Sequence, residues 1–150
     1  MYKIFVLKET SNRGKSSTIK MIFFLLMQKY HKTSKIDSFS VNTRNYDDIT
    51  AQIIIDGKRI GIESEGDPDS KSNPHLKQSL DDFDKANCNI IFCPTRKSGM
   101  TEDWINSHSP KYKIEFYQQN TVKADIRKWK RKQSESNFEV AEQLIKAAGL

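Results

Sequence analysis

The apolar positions of this chain follow two rhythms that alternate from one end to the other. Residues 2–7, Tyr-Lys-Ile-Phe-Val-Leu, are β-branched and aromatic with no clean alternation, the pattern of a strand buried on both faces. From Lys15 to about Tyr30 the period lengthens. Ile19, Ile22, Phe23, Leu26 and Met27 recur at three- and four-residue steps and predict a helix. Residues 36–41 alternate and predict a half-buried strand. In AQIIIDGKRIGIESEGD, residues 51–67, Asp56-Gly57 joins two apolar runs and predicts a tight hairpin. Residues 67–74 are dense in turn formers. Residues 75–85 then predict a helix with Leu76, Leu80 and Phe83 on one face.

CNIIFC, residues 88–93, predicts another buried strand, followed by the polar loop PTRKSGMT at 94–101. Thr101 is placed to cap a short helix that contains Trp104 and Ile105, with Glu102 and Asp103 favourable in its first turn. Residues 112–118 predict a last strand. The tail from Thr121 is helical in composition, with a polar break around residues 134–137. Beyond that break Phe138, Ala141, Leu144 and Ile145 lie on one side. Strands and helices in this order predict an α/β fold: a three-layer sandwich with a mostly parallel central sheet and one antiparallel hairpin. No repeat, long linker or second core interrupts it, so residues 1–150 read as a single domain.

Composition supports a globular chain with a charged surface: 36% of residues are hydrophobic and 29% charged, and the mean hydropathy is -0.71. A net charge of +6 and a pI near 9.3 favour acidic partners such as phosphorylated molecules, nucleic acid or anionic surfaces. Cys88 and Cys93 have neither metal nor paired-redox spacing and read as buried small hydrophobes. Their odd separation along a strand places the two thiols on opposite faces. Met-Ile-Phe-Phe-Leu-Leu-Met, residues 21–27, is far shorter than the roughly 20 residues that cross a bilayer. Its place behind a polar turn argues against a signal peptide, and the expected compartment is the cytoplasm.

The polar turn itself is ETSNRGKSST, residues 9–18, between the first strand and the first helix. A phosphate site there asks for a buried strand, a loop with open backbone N–H groups, a helix N-terminus aimed at the anion, and a lysine. Asn12, Arg13, Gly14, Lys15, Ser16 and Ser17 are the candidate binding residues. Gly14 lets the backbone approach phosphate, Lys15 places a cation near the terminal phosphates, and the Ser16 hydroxyl suits Mg2+. These residues resemble the P-loop NTPase fold family, whose pattern is Gly or Ala, four residues, then Gly-Lys-Ser/Thr. The match lies at Gly14, Lys15 and Ser16, and the variant position is Glu9, which stands where the family has its first glycine.

The resemblance implies a second requirement, a carboxylate at another strand end that holds Mg2+ or its waters. Glu63 directly follows Ile60-Gly61-Ile62 and is the first choice as metal ligand beside Ser16; Glu65 and Asp67 are candidates for aligning water or an acceptor hydroxyl. Residues 63–66 also resemble the Asp-x-x-Gly switch of GTPases, with Glu in place of Asp and Gly66 offering an N–H to the γ-phosphate. Arg96 and Lys97 bring cations to the same edge, where Arg96 is the candidate for stabilising charge on a transferred phosphoryl group. Residues 122–125, Val-Lys-Ala-Asp, keep only the Lys and Asp of the guanine-reading Asn-Lys-x-Asp element, so guanine specificity is not supported.

The resemblance therefore implies a Mg2+-dependent nucleotide-binding protein that hydrolyses ATP or GTP or transfers phosphate, with Lys15, Glu63, Glu65 and Arg96 as catalytic candidates and a protein partner as regulator. Two alternatives stand beside it. One keeps the fold as a nucleotide-binding module without turnover. The other uses the basic segment IRKWKRK, residues 126–132, to hold nucleic acid, although a solvated helix face with Trp129 packed inward is the preferred account of that segment. His31, His75 and His108 are scattered without ligand spacing and receive no role.

Overall fold

The computed structural model describes residues 2–9, 15–42, 48–66, 75–96, 100–118 and 129–150, with only the backbone described at 9, 15, 16 and 129–131. Its elements in chain order are β1 (Lys3–Glu9), α1 (Lys15–Lys29), β2 (Ser34–Asn42), β3 (Asp48–Ile55), β4 (Lys58–Glu63), α2 (His75–Lys85), β5 (Ile90–Arg96), α3 (Met100–Asn106), β6 (Lys113–Gln118) and α4 (Trp129–Ala147). The six strands form one open mixed sheet in the order β2-β3-β4-β5-β1-β6. β4, β5, β1 and β6 are parallel, and β3 runs antiparallel to both of its neighbours. The hairpin between β3 and β4 turns at Asp56-Gly57, where both residues take positive φ of 50° and 76°, the requirement of a two-residue primed turn.

Helices lie on both faces of the sheet. Phe5 and Leu7 of β1 point to one side, where Ile62 and Phe92 meet Ile19, Ile22 and Leu26 of α1 and Ala141 and Leu144 of α4. Ile4 and Val6 point to the other, against Leu76, Leu80 and Phe83 of α2 and Ile105 of α3. Ile4, Phe5, Val6 and Leu7 are all fully buried, which explains why the β1 sequence shows no alternation. Each such side chain stabilises the fold by about 1.5–3 kcal/mol relative to exposure. α2 sits close to the sheet because β4 offers no side chain at Gly61. A Cβ there would lie 2.6 Å from Cγ of Phe83. Gly61→Ala is therefore expected to lower unfolding free energy by about 1–3 kcal/mol through overpacking, measured as a fall in the urea midpoint at unchanged slope.

Asp84 anchors the end of α2 to the segment before β6. His108 Nδ1 lies 2.7 Å from its carboxylate, and Lys111 makes a short ion pair with it. Burial works against ionisation of Asp84, but hydrogen bonds from Lys111 and His108 outweigh it and hold the carboxyl below its ordinary value. A depressed folded-state value means that this contribution is present above the ordinary carboxylate range and is lost as pH falls through the folded value. Wild type should exceed Asp84→Asn by about 0.5–1 kcal/mol at neutral pH. Thermal melts from pH 7 to pH 3 should show that difference shrinking below about pH 4.

Several sequence expectations change in three dimensions. Trp129–Ala147 is one uninterrupted helix, with Gln133 Nε2 donating to Asn137 Oδ1 at 2.8 Å across the polar stretch. Its inward face uses Val140 with Ala141, Leu144 and Ile145, whereas Phe138 remains 40% exposed. Thr101 is not a cap: α3 already starts at Met100, and the Thr101 hydroxyl lies buried 2.9 Å from that of Thr95 on β5. Cys88 and Cys93 share the α2–α3 side, because Cys88 precedes the first residue of β5 and escapes its alternation. Both are buried and free. Burial pushes the Cys88 thiol up to about 12 and also raises that of Cys93, where the Glu63 charge adds to the effect. Both thiols are therefore un-ionised, as expected of inert packing residues. β2 is exposed along its interior rather than half-buried, since it forms the edge of the sheet.

Candidate functional site

β1, β4 and β5 all deliver their carboxyl ends to one edge of the sheet, finishing at Glu9, Glu63 and Arg96. β5 lies between β1 and β4, so their backbones are separated by about 10 Å, twice the usual strand spacing. Residues 10–14 join β1 to α1 and lie outside the described residues, which takes Asn12, Arg13 and Gly14 with them. Lys15 and Ser16 are the first two residues of α1, Ser17 is exposed beside them, and the first turn of the helix contains no acidic residue. Asp67, Lys97 and residues 122–125 also lie outside the described residues. Of the basic segment, Lys132 is exposed on α4, and the side chain of Trp129 is not described.

Glu63 is the best-defined member of the edge. It is fully buried at the last position of β4. Its alternation points it to the α2 side, as the opposite of Ile62, which faces α1. Its Oε1 accepts hydrogen bonds from the Thr50 hydroxyl at 2.7 Å and the Ser79 hydroxyl at 2.5 Å, and its Oε2 accepts the backbone N–H of Glu65 at 3.1 Å. Thr50 stands directly opposite on β3, and Ser79 is on the buried face of α2. His75 Nδ1 lies 3.0 Å from Glu63 and 3.4 Å from Glu65, by distance an ion-pair contact with both.

Glu65 is also buried, and its Oε2 accepts from Asn42 Nδ2 at 3.3 Å. Ser64 between them locks the strand exit: its hydroxyl donates to Asp48 at 2.7 Å and accepts the Ile49 N–H at 2.8 Å. Gly66 then packs on Pro94 of β5. Both carboxylates lie at the start of α2, where the helix dipole favours negative charge. The structure thus joins Glu63 and Glu65 to four side chains that received no role from the sequence: Asn42, Thr50, His75 and Ser79. His75 and Ser79 are four residues apart, one turn of the same helix face, and that spacing was the available signal.

Arg96 belongs to a separate part of the edge. It ends β5 in register with Glu9 of β1, and its side chain is exposed. Thr95 of β5 meets Thr101 of α3 at 2.9 Å between hydroxyls, and Lys8 of β1 pairs with Glu102 of α3 at 3.0 Å. Against models of known families, curated proteins and solved structures, the chain gives no match. Among the described residues, no group of three or more His, Cys, Asp or Glu side chains is arranged to hold a metal ion. No helix among them is long and apolar enough to cross a membrane.

The chemistry open to the Glu63 cluster follows from its occupancy. A carboxylate oxygen offers two lone pairs. Those of Oε1 are taken by two hydroxyls, while Oε2 carries one amide hydrogen bond and keeps a second acceptor direction. Such a group is suited to hold or orient one further donor, such as water, rather than to wrap an ion.

Proposed function

We propose that this protein binds a nucleoside triphosphate with Mg2+ at the carboxyl edge of its sheet, and hydrolyses ATP or GTP or transfers the terminal phosphoryl group under the control of a partner. The observation that carries the reading is the passage from β1 to α1. A buried parallel strand is followed by a helix whose first turn holds Lys15 and Ser16 and no acid. A cation at the positive end of a helix dipole is locally unfavourable, and a bound anion reverses that cost. The pattern at Gly14-Lys15-Ser16 and the order of strands and helices resemble P-loop NTPases, and Glu9 is the departure.

In this reading the backbone of residues 12–17 cradles the phosphates, Lys15 neutralises their charge and Arg96 stabilises charge on the transferred group. Ser16 would hold Mg2+ directly, and buried Glu63 would reach it only through water, because the Glu63 oxygens already accept Thr50, Ser79 and the Glu65 amide. Bound Mg2+ would supply charge neutralisation between the phosphates. In this reading Glu65, held beside His75, would orient the attacking water or hydroxyl. The same hydrogen bonds favour a second reading, binding without turnover, in which Glu63 serves the strand exit alone.

A melting-temperature screen with Mg2+ plus ATP, GTP, ADP or GDP tests the proposal. Stabilisation by at least one triphosphate is expected, and no shift with any of them at millimolar concentration defeats it. Phosphate release above background then separates the enzyme from the silent binder.

A further inference from the structure

We propose that two copies of this chain associate through β2, pairing antiparallel about a two-fold axis at Ser40. β2 is an edge strand, so one rim of its backbone N–H and C=O groups faces no strand of its own sheet. Ile36, Phe39 and Val41 are 47%, 45% and 43% exposed, and Phe24 on the neighbouring helix is 60% exposed. The three strand residues stand opposite Ile53, Ala51 and Ile49 of β3, all on the α1–α4 side, and a bulge between Ile36 and Ser38 keeps Ile36 in phase with Phe39. Phe39 stacks on Phe23 at 5.2 Å between ring centroids, so the patch continues onto α1. An open edge with an apolar flank is a template for another strand.

The residues after the bulge specify which strand. Residues 38–42 read Ser-Phe-Ser-Val-Asn: apolar at 39 and 41, small and uncharged at 38, 40 and 42. Read backwards, the polarity pattern is the same. Antiparallel copies centred on Ser40 therefore set Phe39 opposite Val41 twice on one face, and Ser38 opposite Asn42 twice on the other. The charges of the strand, Lys35 and Asp37, lie outside this ladder, and Asp37 is engaged by Arg59 at 2.7 Å. Such a contact is isologous and closes at two copies.

Sedimentation of the full chain from micromolar to near-millimolar concentration tests it. The mass should move from 17.4 kDa towards twice that value. Ser40→Lys and Ser40→Asp each place like charges face to face and should weaken the dimer by about fivefold, with unchanged melting temperature. An equimolar mixture of the two variants should recover association, because opposite charges then meet. A chain that stays at 17.4 kDa throughout, a dimer insensitive to both variants, or a mixture that fails to recover overturns the pairing.

Discussion

Lys15→Ala protein is expected to lose the thermal stabilisation that Mg2+ with ATP or GTP gives the wild type. A ligand present at about 100 times its Kd stabilises by about 2.7 kcal/mol, which raises the melting temperature of a chain this size by about 5–11 °C. The unliganded variant should melt at or slightly above the wild type. Lysine at the start of α1 opposes the helix dipole, at a cost of about 0.3–1 kcal/mol, and alanine removes that cost while favouring the helix. Loss of ligand response without loss of stability is what a phosphate-binding lysine produces and what a structural lysine does not. Differential scanning fluorimetry with and without nucleotide reads both quantities, and equal nucleotide shifts in the two proteins would count against the site. Phosphate release equal in wild type and variant, at background level, would remove the enzyme claim and leave the binder.

Glu63→Ala should be among the most destabilising single changes at the sheet edge, by about 3–5 kcal/mol. The carboxylate is fully buried, and its loss leaves the hydroxyls of Thr50 and Ser79, the Glu65 N–H and His75 around an empty acceptor position. The melting temperature should fall by about 6–20 °C. Glu63→Gln keeps the shape. Its amide oxygen accepts the Glu65 N–H, and its NH2 donates to the two hydroxyls, which rotate to receive it. The expected cost is therefore smaller, about 1–2 kcal/mol. A folded Glu63→Gln protein also separates stability from chemistry: on the catalytic reading it binds nucleotide but releases phosphate more slowly. An alanine variant as stable as wild type, in urea titrations, would contradict the buried network itself.

The alternation of elements was legible because burial on two faces and burial on one leave different imprints. β1 and β5 lack alternation since both faces are covered, β3 alternates since its second face is only partly covered, and Asp56-Gly57 marks a turn that needs positive φ twice. Polar composition misled the reading at residues 134–137, where a helical Gln133–Asn137 hydrogen bond replaces the solvent contact that such residues suggest. Helical spacing set Phe138 inward with Ala141, Leu144 and Ile145, yet Val140 takes the inward position instead. Strand β2 looked half-buried from its alternation alone; only the strand order shows that it stands at the edge.

The candidate site divides in the same way. Gly14, Lys15 and Ser16 are contiguous, so the sequence alone supplied the pattern that points to a phosphate, and the placement of Glu63 after an apolar strand was equally local. What surrounds Glu63 was not local. Thr50 comes from the antiparallel neighbour, Ser79 and His75 from a helix beyond the 67–74 loop, and Asn42 from the end of β2, which reaches Glu65. Hydrogen-bond partners brought together by register and helix packing have no fixed spacing along a chain. The sequence by itself determined which segments become strands and helices and where a cation meets a helix start; the tertiary structure alone decided that β5 separates β1 from β4, that Glu63 is sealed by three donors and that β2 is left open. Periodicity records the burial of each residue, whereas the order of strands depends on crossovers between distant elements, and that information is spread over the whole chain.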